Sequence, residues 1–189
     1  MYHPTKINFI SHILKKQKSD KIRIQKFYTD SGMDSDGRTR LQILKQSDQW
    51  LEETHDYVQW LFPTDEKSLF NADAPIISQT EVNEILTEKG NTIERNMLQS
   101  FYRMMKFYGL SILCDSEGNV QIKAKEPPLG KMLTKNNHNF LRLSRIMISM
   151  RLFGLEEYSE ALKLCLLNIA DRYPDIIGEE TRTIWEKKC

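Results

Sequence analysis

The sequence predicts an all-α fold, a single multi-helix globular domain with a small β-hairpin near 110–124. Three observations predict it. Apolar residues recur three and four apart in segment after segment, as where Met97, Phe101, Met104, Met105 and Tyr108 make one stripe. Capping and breaking residues stand between the segments, among them Ser47, Pro63, Ser78, Gly109, Gly154 and Pro174. The period changes at "LSILCDSEGNVQIKAK", where apolar runs flank the turn "DSEGN" and read as a hairpin.

The elements follow in order. The first twenty residues carry Ile7, Ile10, Ile13 and Leu14 at helical spacing with lysines alongside. A short helix is the simpler reading, and a membrane-surface anchor is its rival. "KIRIQKFY" suits helix or strand. "TDSGMDSDGRTR" is turn chemistry. Its Asp30, Asp34, Asp36 and Gly37 lack the order of a calcium loop, and no glutamate closes it. A helix is expected from about Asp48 to Leu61, capped by Ser47 and ended by Pro63. Ser78 with Glu81 forms a capping box for the next helix, and Asn91 or Thr92 is expected to start a longer one, stopped at Gly109. After Pro127 and Pro128, "NHNFLRLSRIMISMRLFG" and "EEYSEALKLCLLNIADRY" each predict an apolar helix, and a last helix carries Trp185.

Composition narrows the function classes. The chain has 189 residues, 40% hydrophobic and 28% charged, enough for one domain with a sizeable core. A net charge of +1 argues against a general nucleic-acid binder. No apolar run approaches the roughly 18 residues of a transmembrane helix, and no secretory signal is visible. Cys114, Cys165 and Cys189 are odd in number, far apart and form no CxxC. They argue for a reducing cytosol, and so for a cytoplasmic protein, against a disulfide scaffold and against zinc. Glu52 and His55 make a lone Glu-x-x-His, short of a di-metal set, so no metal or other cofactor is expected. HExxH, GxSxG, GxGxxG and a phosphate loop are absent.

The candidate site comes from two segments. In "HDYVQWLFPT", residues 55–64, Leu51, Val58 and Leu61 form an apolar face that Trp50, Tyr57 and Trp60 broaden. The aromatics read as core, with a ligand cage as the alternative. Asp48, Glu52, His55 and Gln59 form a polar stripe beside them. In "NHNFLRLSR", His138, Arg142 and Arg145 run along one line of a helix otherwise apolar around much of its circumference. Arginines on such a helix need carboxylates, carbonyls or a wet cleft. Either the acidic stripe pairs with the basic one, or His55, Gln59, His138, Arg142 and Arg145 line a pocket for an anionic ligand. Arg38, in the Asp/Gly-rich turn, is a further candidate.

These blocks carry a resemblance. "DSGMDSDGRT", "WLEETHDYVQWLFP" (50–63), "FNADAPIIS" (70–78), "MMKFYGL" (104–110) and "NHNFLRLSRIMISMRLFGLE" (137–156) resemble, in order and spacing, the conserved domain of the opioid growth factor receptor and its bacterial relatives. The central motif runs through Trp60, Phe62 and Pro63, with Val58 where the family has isoleucine. The resemblance implies a conserved domain over 27–189 after an N-terminal helical extension, 1–26, in a compact bacterial-type form. It also implies a receptor-like role, since the animal receptors bind an enkephalin growth peptide. The expected function is a non-catalytic helical domain that binds a peptide, protein or small anion. The alternative is an enzyme on an anionic substrate with His55 or His138 as acid or base.

Overall fold

Residues 20–68 and 71–187 are described by a computed structural model. The expected helix around Ile7 to Leu14 and the terminal Cys189 lie outside them. The architecture is all-α with one two-stranded antiparallel hairpin. Helix α1 covers 20–28 of the described residues, which settles "KIRIQKFY" as helix. It is followed by α2 (Arg40–Leu44), α3 (Asp48–Glu53), α4 (Val58–Leu61) and α5 (Gln79–Phe107). Strands β1 (Leu110–Cys114) and β2 (Val120–Ala124) form the hairpin, and α6 (Asn139–Leu152), α7 (Glu156–Arg172), α8 (Pro174–Ile177) and α9 (Glu179–Lys187) follow it among the described residues.

Helices α5, α6 and α7 form the body because each carries a wide apolar face. Met97, Phe101 and Met104 of α5, Leu143, Met147 and Met150 of α6, and Leu162 and Leu166 of α7 are all fully buried. The hairpin pairs Leu110 with Ala124, Ile112 with Ile122 and Cys114 with Val120, and β2 lies against α7. Trp185 of α9 is buried edge-on to Phe140, and its indole donates to Ser144 Oγ at 3.0 Å. At the other side α1 buries Ile24, Phe27 and Tyr28. The Tyr28 hydroxyl donates to the Leu61 carbonyl, and Asn96 donates to the Tyr28 carbonyl at 2.6 Å. Chain reversal after α1 needs Gly32, since a Cβ there would sit 2.8 Å from the Lys26 Cβ.

One expected helix differs. The helix expected over Asp48–Leu61 is two short helices, because Thr54 turns extended at φ −96°, ψ 132°. The carbonyls that would continue it are taken by side chains from elsewhere, as described below. The capping box at Ser78 opens a helical span that reaches Phe107, and non-helical backbone at Lys89 (φ −138°, ψ 19°) divides it into two helices across a kink. The break falls two residues ahead of Asn91, where the sequence expects the longer helix to start, and Gly90, Asn91 and Thr92 weaken the helix there.

Trp60 lies 1% exposed against the Phe27 ring at 5.4 Å, with the Arg23 guanidinium 4.7 Å from its centroid. Its indole nitrogen has no hydrogen-bond partner in the protein, so truncation removes ring packing and the Arg23 contact but no hydrogen bond. Trp60→Ala is expected to lower stability by about 3–5 kcal/mol in chemical denaturation. A loss below about 1 kcal/mol would assign the ring to something other than the core.

Candidate functional site

The site exists because the chain breaks after Glu53. Helix α3 ends with carbonyls that have no helical partner. Arg142 of α6, only 7% exposed, reaches across to them. Its Nη1 donates to the Leu51 carbonyl at 2.9 Å, and its Nη2 to the Thr54 carbonyl at 2.8 Å and more weakly toward Glu52 at 3.5 Å. The Tyr57 hydroxyl donates to Leu51 at 2.9 Å as well. A guanidinium at the negative end of a helix is favourable electrostatically, and it leaves those carbonyls unable to accept from a continued helix.

The turn so formed brings His55 forward. Its Nδ1 lies 2.8 Å from the Glu53 carbonyl, which can only accept, so Nδ1 carries the proton. The His55 ring stacks on His138 at 4.9 Å and 24°. Helix α4 then supplies Val58 and Gln59, and the first two turns of α6 supply His138, Leu141, Arg142 and Arg145. With Ser68 these side chains line one cavity of about 450 Å³.

The two polar stripes of the sequence therefore meet, but not as paired charges. Asp48 turns away to Arg103 at 2.8 Å. The Glu52 carboxylate accepts from Asn139 Nδ2 at 2.9 Å and stands 3.5 Å from His138 Nε2. Arg142 is satisfied by carbonyls and by Asn139 Oδ1, with no carboxylate on it. Arg38 does not line the cavity. It holds Asp34 at 2.6 Å, Asp56 at 2.8 Å and Asp36 at 3.0 Å, and lies over the Trp50 ring. It thereby ties the Asp/Gly-rich turn to the residue next to His55. Trp60 and Phe62 are core, and the Pro63 carbonyl accepts from Ser149 Oγ at 2.7 Å.

Three side chains on the wall keep buried polar atoms without a hydrogen-bond partner: Arg145, Gln59 and His138, whose Nε2 stands 3.5 Å from Glu52. Arg145 donates from Nη1 to Thr64 Oγ1 at 2.8 Å, while its Nη2 is buried and unpartnered. Burial pulls its pKa down to about 10, partly offset by the charge of Glu66, so it is still cationic at neutral pH. Gln59, 6% exposed, is 3.4 Å from Ser68 Oγ through Nε2 and has no partner at Oε1. Whichever way round the amide sits, one end lacks a protein partner. Burial and the nearby Arg142 lower the pKa of His138, with Glu52 acting against them and His55 with them.

Sequence reasoning missed Thr64 and Ser68. Both lie in the irregular "TDEKSLFNADAP", where no period marks a buried position. A second cavity, about 430 Å³ between β2 and α7, contains Cys165, whose thiol is pushed up to about 11 by burial and is not a reactive thiolate. Among the described residues no cluster of His, Cys, Asp or Glu could hold a metal.

Fold and site together define an all-α domain with one hairpin and a cationic cavity walled by a broken helix and the start of α6. The chain belongs to the opioid growth factor receptor (OGFr) conserved-region family, whose model matches residues 16–171. Opioid growth factor receptor-like protein 1 of Mus musculus is 32% identical over 120 residues, 64% of this chain and 25% of that protein. The opioid growth factor receptor of Mus musculus is 32% identical over 122 residues (65% and 19%), and that of Homo sapiens 30% over 112 residues (59% and 16%). The match thus spans a quarter or less of these relatives. No solved structure matches the chain significantly. No helix among the described residues is long and apolar enough to cross a membrane.

Two measurements check this geometry. Arg142→Ala strands the Thr54 carbonyl, leaves the Leu51 carbonyl with Tyr57 alone, and is expected to cost roughly 2–5 kcal/mol in denaturant unfolding. His138 binds its proton less readily folded than unfolded, so below about pH 6.5 the unfolded chain holds more protons. Its contribution to stability is therefore complete above that pH and declines as pH falls. Unfolding midpoints between pH 7.5 and 5 should fall less in His138→Gln than in the parent chain.

Proposed function

We propose that this chain is a non-catalytic, receptor-like binding domain whose cavity takes an anionic group of a peptide, protein or small molecule. One observation carries the reading. The Arg145 guanidinium is buried on the cavity wall and charged at neutral pH, yet its protein partner is a hydroxyl and its Nη2 has none. A buried cation whose desolvation the charge of Glu66 only partly offsets is costly, and a bound anion would lower that cost. The start of α6 and the Arg142 charge add to the positive field at the same wall. In this reading Arg145 and Gln59 contact the ligand, His55 and His138 form the stacked wall, and Arg142 positions the loop. Arg38 acts from behind, through Asp56. The relatives' names call them receptors, and a binding role extends that to this chain. A cytoplasmic setting accords with the unpaired Cys114 and Cys165, and the near-neutral charge with a partner other than nucleic acid.

A second reading rests on the 3.5 Å contact of Glu52 with His138, a carboxylate–imidazole pair that could move a proton on an anionic substrate. It makes the domain an enzyme. Turnover that disappears in His138→Gln while anion binding persists would favour it.

Arg145→Met tests the first reading. Acetate and inorganic phosphate, added at constant ionic strength, are expected to raise the melting temperature of the parent chain and shift its histidine ring resonances. The variant should show neither effect while remaining as stable as the parent or more so. A variant destabilised by about 3 kcal/mol or more, with no anion effect in the parent, would make Arg145 structural and defeat the reading.

A further inference from the structure

Strand β2 has an unused edge. The sheet has two strands, so one side of β2 pairs with β1 and the other meets no strand among the described residues. The ladder fixes which groups lie on that outer side. Asp115 N–H donates to the Asn119 carbonyl and Lys125 N–H to the Gly109 carbonyl, both at 3.1 Å. Bonded and unbonded pairs alternate in an antiparallel ladder, so Leu113 with Gln121 and Ser111 with Lys123 are the pairs that bond across it. Val120, Ile122 and Ala124 therefore turn their N–H and C=O outward. Ala124 directs its N–H toward the Cys165 sulfur. Val120 and Ile122 have no hydrogen bond on that side among the described residues. All three line the cavity of about 430 Å³ between β2 and α7. Its opposite wall carries Leu164, 61% exposed and the most exposed large apolar side chain among the described residues.

An unpaired strand edge beside an apolar helix flank fits an extended chain, which would supply the missing ladder bonds. Side chains alternate along β2, so Val120, Ile122 and Ala124 share the face toward α7, and Gln121 and Lys123 the solvent face. An added strand would lay alternate residues beside Leu164 and beside Lys123. Lys123 stands opposite Ser111, and neither it nor Lys125 is in an ion pair among the described residues. Arg172, on the α7 side, is paired with Glu126 at 2.8 Å. The groove is thus short of negative charge. Residues 1–19 hold Lys6, Lys15, Lys16 and Lys18 and no acid, so charge disfavours them as its occupant. A second copy is disfavoured by space. With α7 at the same edge, joining two β2 strands would bring two α7 helices within roughly 5 Å, where packed helices need about 8–10 Å.

We propose that the β2 edge and α7 form a docking groove for an extended segment of another protein in which apolar and acidic residues alternate. Val120 and Ile122 pair with its backbone, its apolar side chains lie on Leu164, and its carboxylates lie beside Lys123 and Lys125. The groove is separate from the cavity at α6 and does not depend on the anion-binding reading.

The test uses the full chain and the probe acetyl-Val-Glu-Val-Glu-Val-Glu-Val-amide. In the dilute free chain the Val120 and Ile122 amides should exchange with solvent faster than those of Gln121 and Lys123, and saturating probe should slow both. Affinity from calorimetry should fall as salt rises. The same peptide with lysine for glutamate should bind at least about fivefold more weakly, the size of one or two cross-strand charge pairs. Lys123→Glu should reverse that preference, and Leu164→Asp should weaken both peptides. Both side chains are exposed, so the amide spectrum of each variant should stay that of the parent. Methylating the probe's valine backbone nitrogens should abolish binding if the strands are antiparallel, and methylating its glutamate nitrogens if they are parallel. Equal tolerance of both would overturn the edge pairing, and equal affinity for the acidic and basic peptides would overturn the acidic partner. No slowing of Val120 and Ile122 at millimolar probe would overturn the proposal as well. Slow exchange of these amides in the dilute free chain would mean that the chain covers its own edge. Slowing with protein concentration alone would mean that a second copy does. Either result overturns the proposal, and none of these outcomes touches the anion-binding reading.

Discussion

The reach of Arg142 to the end of α3 is the constraint on which the site depends. An arginine on a mostly apolar helix must find oxygen, and carbonyls at a helix end offer it at favourable potential. By taking Leu51 and Thr54, Arg142 stops α3 early, fixes α6 against it and turns His55 toward His138. Remove that contact and the segment from 48 to 61 has the pattern of one continuous amphipathic helix, with Gln59 and His55 carried elsewhere. The cavity is thus a by-product of how one buried charge is satisfied.

Arg145, one helical turn further on, is in a different position. It meets no backbone carbonyl among its hydrogen bonds, and Thr64 supplies a single hydroxyl. Two arginines on one face of α6 are therefore unequal: Arg142 is closed by backbone oxygens, and Arg145 keeps one nitrogen without a hydrogen-bond partner in the protein.

Much of this was legible in the residues. The capping box at Ser78, the stop at Gly109, the hairpin about "DSEGN" and the burial of Trp185 follow from local chemistry acting over a few residues, and local chemistry is what a sequence displays. The meeting of His55 and Gln59 with the His138–Arg145 line was also foreseeable, because two apolar helices with polar lines have few other ways to bury them. The break at Thr54 was not legible. Thr54 and His55 are unremarkable in a helix, and what ends it is a side chain 88 positions away. Nor could spacing assign Arg38, whose three aspartates come from two separate segments. Its role needed the fold of the turn, not its composition.

The short stretch of Pro63 and Thr64 joins more of the molecule than its length suggests. The Pro63 carbonyl is held by Ser149, the Thr64 hydroxyl by Arg145, and the Thr64 carbonyl accepts from Ile77 just ahead of the Ser78 cap of α5. Leu141 shares the cavity but stands half in solvent at its rim. Evolution therefore meets two kinds of wall around one space. The floor at 63–64 is tied into α5 and α6 at once, so drift there disturbs the whole fold. The rim at 141 stands half in solvent, and there a lineage can change the side chain, and with it the mouth of the cavity, without giving up the domain.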